Sequence, residues 1–327
     1  MIYIHIPFCK SFCTYCDFYS EICSPKVQKL FVDELCKEIE GRRAEIESTL
    51  GLNTLYIGGG TPSVLKPELL KRIVDALGYG PYREFTVEVN PDDVTPEYAR
   101  FLKGLGVNRV SMGVQSFDDG LLRWMNRRHT ALGAVEAFSH LRQAGFDNIS
   151  IDLIFGISSL SGEVWEDTLK KAIELHPEHI SAYQLTVEEG SGLAQMIRDG
   201  RYAEATDEQC ASQYQTLCSM LRSAGFNHYE ISNFALPGRE ALHNSAYWRR
   251  LPYAGLGPGA HSLIGEDTRS WNTSVVSGWT RAYEHLTLEQ IREERLMLGL
   301  RTAAGVDDMR IPESDWFISD SIIEDLI

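Results

Sequence analysis

Short runs of β-branched and aromatic residues alternate along the chain with amphipathic helical stretches. The spacing is roughly thirty residues, the pattern of repeated βα units around a parallel sheet. Six runs are expected as strands: MIYIHIP (1–7), NTLYIGG (53–59), EFTVEVNP (84–91), VNRVSMGVQS (107–116), NISIDLIFG (148–156) and HISAYQLTVE (179–188). A helical pattern follows each. In PEYARFLKGLG, Pro96 falls in the first turn and Gly104 or Gly106 near the end, the positions these residues favour. A closed (β/α)8 barrel takes about 250 residues, whereas this repeat stops near residue 188 and Gly190 and Gly192 then break it. The pattern predicts an α/β protein with an open, six-unit partial barrel, (β/α)6, over residues 1–205 and an accessory region over 206–327. In that region TDEQCASQYQTLCSMLRSAGF reads as a helix and HYEISNFAL as a strand. Leu242 to Trp271 reads as a loop over the open side or mouth of the barrel, and Leu286 to Ala303 as a last helix before a short tail.

Composition changes this picture in four ways. With 327 residues, 43% of them hydrophobic, the chain can bury a large core. The opening MIYIHIP is too short and too polar at Tyr3 and His5 for a signal sequence, and no run of eighteen apolar residues follows, so a soluble cytoplasmic protein without a transmembrane segment is expected. A net charge of −15 argues against an extended nucleic-acid surface, and an anionic ligand would need a local basic patch. Seven cysteines, an odd number, do not suit a disulfide framework in a reducing compartment, so a tight group of them reads as metal binding or catalysis. Cys23, Cys36, Cys210 and Cys218 stand apart as packing thiols.

In parallel βα folds ligands sit beyond the carboxyl ends of the strands, and polar residues gather there. Cys9, Cys13 and Cys16 follow the first strand as CxxxCxxC, Gly58 to Thr61 end the second, Glu88 the third and Gln115 the fourth, and Asp152 lies in the fifth. A 4Fe–4S cluster ordinarily takes four thiolates. Three leave one iron with an open position, as catalytic zinc sites keep one open for substrate. Zinc held by the three thiols and His5 is the competing reading, with His5 otherwise a hydrogen-bonded core histidine.

At this point the chain resembles the radical S-adenosylmethionine (SAM) superfamily. Within it YIHIPFCKSFCTYCDF, YIGGGTPS, EVNP, RVSMGVQSF, NRRHT, IDLIFG and ISAYQLTVEEG resemble the branch that contains the oxygen-independent coproporphyrinogen III oxidases and the HemW heme chaperones. The resemblance implies a radical SAM partial barrel, a 4Fe–4S cluster on Cys9, Cys13 and Cys16, and a SAM site at Tyr3, Tyr15, Gly59, Gly60, Thr61, Glu88, Gln115, Arg127 and Asp152. The residue types agree. Bare glycines let the backbone approach the methionine end of the cofactor, Thr61 adds a hydroxyl, and Glu88 and Asp152 offer acceptors. Gln115 donates and accepts, Arg127 can clamp a carboxylate, and Tyr15 can stack on adenine. Each also has a plain structural reading: GGGT as a tight turn, Glu88 as a cap for the turn at Asn90, Asp152 as an ion-pair partner of Arg109.

Two activities remain open within the branch. One is a heme chaperone that delivers heme to apo-hemoproteins, including those of the respiratory chain. The other is a dehydrogenase that oxidatively decarboxylates coproporphyrinogen III propionates to vinyls. The oxidases usually carry a fourth cysteine two residues after the third, where this chain has Phe18, and an N-terminal extension, for which Cys9 leaves no room; both favour the chaperone. So does HNSAYW at His243 to Trp248, which resembles the HNxxYW stretch associated with heme. His243 is the expected axial ligand, Tyr247 and Trp248 the flat faces against the porphyrin, and Arg249 and Arg250 partners for its propionates. Turn capping and barrel packing are the plain alternative. His261 in GLGPGAHS and His129 in NRRHT are further candidates. A homodimer is allowed for. Relatives usually continue after LMLGLRTAAGVD into a winged-helix-like module, which is expected to be largely missing here, so that Trp316, Phe317, Ile322, Ile323 and Leu326 must find apolar cover.

Overall fold

The computed structural model describes residues 1–327. Its first six strands are β1 (Ile2–Ile6), β2 (Thr54–Gly59), β3 (Glu84–Val89), β4 (Arg109–Gln115), β5 (Ile149–Phe155) and β6 (His179–Gln184). All pair in parallel in chain order, within two residues of the expected start of every strand. Helices cross between them, and those after β3, β4 and β5 begin on side-chain caps. Thr95 accepts from the Tyr98 amide ahead of Pro96, and Ser161 from Val164, satisfying amides that a helix start leaves without partners.

Alternation along these strands decides what each face does, because successive side chains point to opposite sides. On β4, Val110, Met112 and Val114 are fully buried against the helices, while Arg109, Ser111, Gly113 and Gln115 line a central cavity. On β3 the helix side takes Phe85 and Val87, and on β1 Ile2, Ile4 and Ile6. One contiguous apolar core runs through this outer layer from Ile2 to Ile323, and the inside of the barrel is polar.

Beyond residue 205 the chain stays with the same sheet. The stretch read as one strand, HYEISNFAL, is a hairpin: β7 (Asn227–Glu230) and β8 (Asn233–Ala235) turn at Ile231–Ser232, and β8 pairs antiparallel with β6. The stretch read as a covering loop, Leu242 to Trp271, is ordered instead as a helix (Leu242–Trp248) followed by strands. Of these, β9 (Ala254–Leu256) joins β1 in parallel. β10 (His261–Ile264), β11 (Thr268–Asn272) and β12 (Arg281–His285) form a separate antiparallel sheet. The nine strands of the main sheet form an open row from β7 to β9. In the tail, Trp316 and Ile323 are buried, Phe317 and Ile322 pack partly against the core, and Leu326 remains exposed. No helix is long and apolar enough to cross a membrane.

Candidate functional site

The loop after β1 is fixed at both ends. At its base the Cys9 amide donates to Glu21 O (3.1 Å) and the Glu21 amide to Pro7 O (2.8 Å). At its tip Thr14 donates through its amide to Met125 O (3.1 Å) and through its hydroxyl to Trp124 O (2.9 Å), and it accepts from the Leu193 amide (2.7 Å). A side chain at Gly192 would press on Thr14 O at 3.1 Å. Held this way, Cys9, Cys13 and Cys16 all face the central cavity, of ≈1680 Å³. Cys9 Sγ lies 3.4 Å from Thr61 Oγ1, and Arg127 Nη1 donates to Cys13 Sγ at 3.4 Å. Burial, helped by the charges of Cys13 and Cys9, pushes the Cys16 thiol up to about 11. No three His, Cys, Asp or Glu side chains converge as they do on a single ion. His5 is not a fourth ligand, because Nδ1 meets the Tyr3 hydroxyl (3.0 Å) and Nε2 Tyr19 O (3.0 Å). The zinc reading therefore lacks its fourth donor, whereas three thiols around one end of a roomy pocket suit a cluster.

The strand-end residues close around the same space. Gly59 has φ +113°, a conformation that favours glycine, and its amide donates to Glu88 Oε2 (3.1 Å) while the Tyr56 hydroxyl donates to Oε1 (2.7 Å). A Cβ at Gly60 would stand 2.8 Å from Phe8 O and 3.1 Å from Cys9 Sγ, so only glycine lets the loop and β2 approach this closely. Desolvation inside the barrel, opposed by the Tyr56 bond, lifts the Glu88 carboxyl to about 7. Asp152, also raised by burial, accepts from Ser111 (3.1 Å to each oxygen) and Ser150 (3.4 Å). A bulge between Gly113 and Gln115 puts Gln115 at φ +68°, the backbone strain that collects at ligand sites. The Arg127 Nε and the Asn90 Oδ1 are buried without partners beside it.

Of the expected SAM residues, Tyr15, Gly59, Gly60, Thr61, Glu88, Gln115, Arg127 and Asp152 come together around the cavity, and Tyr3 does not. Its hydroxyl is spent on His5 and its ring lies 6.1 Å from that of Tyr56.

At HNSAYW the side chains are bonded within the protein. His243 is fully buried, with Nδ1 bonded to the Thr54 hydroxyl (2.8 Å) and Nε2 to the Tyr247 hydroxyl (2.9 Å). Burial, the N-terminal amine and Arg109 pull its pKa down to about 3. Tyr247 rests edge-on against Tyr253 at 4.7 Å, and neither it nor Trp248 lines the cavity; from this stretch only Asn244 does. Arg250 is already paired with Glu294 (2.7 Å), and Arg249 donates to Ser245 O (3.2 Å). His129 is buried and donates to Val114 O (3.0 Å), while His261 is exposed and stacks on Trp271 at 6.0 Å.

The barrel interior also holds residues that motif reading passed over. Tyr56, Ser111, Ser181 and Tyr183 all line the cavity. Their signal is the alternation itself: R-V-S-M-G-V-Q and H-I-S-A-Y place a polar residue at every second position of a strand whose other face is apolar.

Comparison with known proteins supports this geometry. Residues 3–172 match the radical SAM superfamily model. The chain is 38% identical to the heme chaperone HemW of Bacillus subtilis, over 95% of this chain and 86% of that one. It is 36% identical to HemW of Lactococcus lactis, over 93% and 82%. Among solved structures, coproporphyrinogen III oxidase (HemN) from Escherichia coli, a radical SAM enzyme, superposes with a TM-score of 0.77. That match covers 92% of this chain and 75% of HemN at 23% identity, and is a likeness of fold.

Proposed function

This chain belongs to the radical SAM superfamily and, within it, to the family of the heme chaperone HemW, and from that membership we propose that it binds heme and passes it to apo-hemoproteins. The observation that carries the reading is 38% identity to a HemW along 95% of the chain, against a likeness to the oxidase that extends to the fold alone. The superfamily implies a 4Fe–4S cluster and SAM, and the cavity is roomy enough for more than one ligand, since drug-sized sites run to about 1,000 Å³.

In this reading Cys9, Cys13 and Cys16 hold the cluster, and the Arg127 guanidinium stabilises the thiolate charge at Cys13. Gly59, Gly60 and Thr61 give the methionine end of SAM backbone and hydroxyl contacts. Glu88, Gln115, Arg127 and Asp152 orient it, and Tyr15 covers the adenine. With a cluster and SAM bound, these residues would hold the groups that supply one-electron chemistry. The strand-end ring, formed without Tyr3, also supports a second reading, oxidative decarboxylation of coproporphyrinogen III by the same residues.

The test is heme transfer. Cluster-reconstituted protein loaded with one heme and mixed with a respiratory apo-cytochrome is expected to lose its heme absorbance as the recipient gains the holo spectrum. Failure of the protein to take up heme would overturn the proposal.

A further inference from the structure

One buried carboxylate ties together the segments that carry the residues assigned to the cluster and SAM. Asp93 ends the turn Pro91–Asp93 after β3, with its side chain 2% exposed, and it does not line the cavity. Lys10 Nζ donates to its Oδ1 (2.6 Å), Ser63 Oγ donates to its Oδ2 (2.9 Å), and Arg128 Nη2 donates to both oxygens (3.3 and 3.2 Å). Each donor sits beside a residue of the site. Lys10 follows Cys9 in the thiol loop, Ser63 stands two places after Thr61, and Arg128 adjoins Arg127. The segment of Asp93 itself runs on from Glu88 through Asn90, where the Asn90 amide donates to the same Ser63 hydroxyl (3.1 Å).

Burial separates this group from an ordinary surface ion pair. Exposed pairs are worth little, whereas a carboxylate so deeply buried is held as an anion by the two cations and the hydroxyl around it. Two bonds inside the site cross the same junctions. Cys9 Sγ meets Thr61 Oγ1 at 3.4 Å, joining the loop to the glycine stretch, and Arg127 Nη1 meets Cys13 Sγ at 3.4 Å, joining the loop to the arginine segment. Both depend on sulfur, a weak hydrogen-bonding atom. Asp93 crosses both junctions from behind with charge-assisted bonds.

We propose that Asp93 is a positioning residue for SAM binding. Through Lys10, Ser63 and Arg128 it sets where the thiol loop, the glycine stretch and Arg127 stand relative to one another, without lining the cavity in which the cofactors are placed. The proposal rests on the cluster and SAM assignment above and adds the group that holds those segments in register. Groups that orient metal ligands from behind count for about 10–100-fold in metal affinity or activity, and an effect at the lower end of that range is expected here.

The experiment measures SAM binding to anaerobically reconstituted full-length protein at matched iron content. Equilibrium dialysis gives the affinity, and the change that SAM causes in the EPR spectrum of the reduced cluster gives an independent readout. Asp93→Asn, which keeps the shape and removes the charge, is expected to weaken SAM binding about tenfold. Lys10→Met cuts only the arm to the thiol loop, from a half-exposed position. It is expected to weaken binding about threefold or more with the urea midpoint of wild type, and Lys10→Arg to restore it; a role in stability alone would move the midpoint and spare the affinity. The double variant is expected to bind no worse than Asp93→Asn, because both changes cut one tie. Wild-type affinity in the folded variants, or losses that multiply in the double variant, would overturn the role of Asp93 and leave the SAM site standing. Should Asp93→Asn fold poorly, Lys10→Met against Lys10→Arg decides the matter. Wild type with a full cluster and no bound SAM would overturn the SAM assignment and the proposal with it.

Discussion

Two regions, each flagged by a short motif, differ in where their polar groups end. At the strand ends Arg127 and Asn90 keep unpartnered atoms toward an open cavity, Gln115 is held at a strained φ, and three thiols share one pocket with no ion-sized trio among them. In the helix Leu242–Trp248 the opposite holds. Both His243 nitrogens are bonded, and both first amides are met by Glu84. A site that awaits a ligand carries its desolvation cost unmet, whereas a structural element settles its own polar groups. The second helix closes the barrel interior beside the β2–β3 pair, and its histidine belongs to that closure.

The comparison can be broken most sharply at the cysteines. Anaerobic reconstitution of wild type is expected to give about four irons per chain, and Cys13→Ala well under half of that with the brown absorbance lost. A full complement in the variant, or zinc in place of iron in the wild type, would remove the cluster from this loop. Next comes Gly60→Val, whose side chain must displace Phe8 O or Cys9 Sγ from within about 3 Å. Equilibrium dialysis is expected to show SAM affinity falling at least about tenfold, and an unchanged affinity would put the SAM pocket elsewhere. His243→Ala sharpens the other side. Stranding the Thr54 and Tyr247 hydroxyls in the core should cost about 2–4 kcal/mol of stability in urea unfolding, with heme affinity within about threefold of wild type. Unchanged stability with heme binding abolished would make His243 a ligand after all.

The smallest effect is a pH dependence at Glu88. Its carboxyl is lifted from 4.5 to about 7 in the fold, so between those values the unfolded chain gives up a proton that the folded chain retains. Stability from this group is therefore full below pH 4.5 and declines as pH rises through about 7. Without SAM, wild type should lose more stability between pH 5 and pH 8 than Glu88→Gln does, as read by urea midpoints at both values. Equal losses would mean that Glu88 titrates normally.

How much of this was legible in the sequence follows from what sequence patterns encode. Strands with one apolar and one polar face leave short alternating runs bounded by turn residues, and all six were found. The thiol loop and glycine stretch were found because their chemistry is local in sequence. The hairpin in HYEISNFAL was missed because its turn, Ile231–Ser232, carries no glycine or Asn-Gly signal. The strands between Ala254 and His285 are three to five residues long, below the length at which alternation is convincing. Residue type cannot say which histidine is satisfied: the partners of His243 lie at Thr54 and Tyr247, one of them 189 residues away.

The heme-chaperone reading is tested most directly by anaerobic incubation of the cluster-reconstituted, SAM-loaded protein with a low-potential reductant and either heme or coproporphyrinogen III. The account predicts stable uptake of heme and coproporphyrinogen recovered unchanged; conversion of coproporphyrinogen III to protoporphyrinogen IX would contradict it.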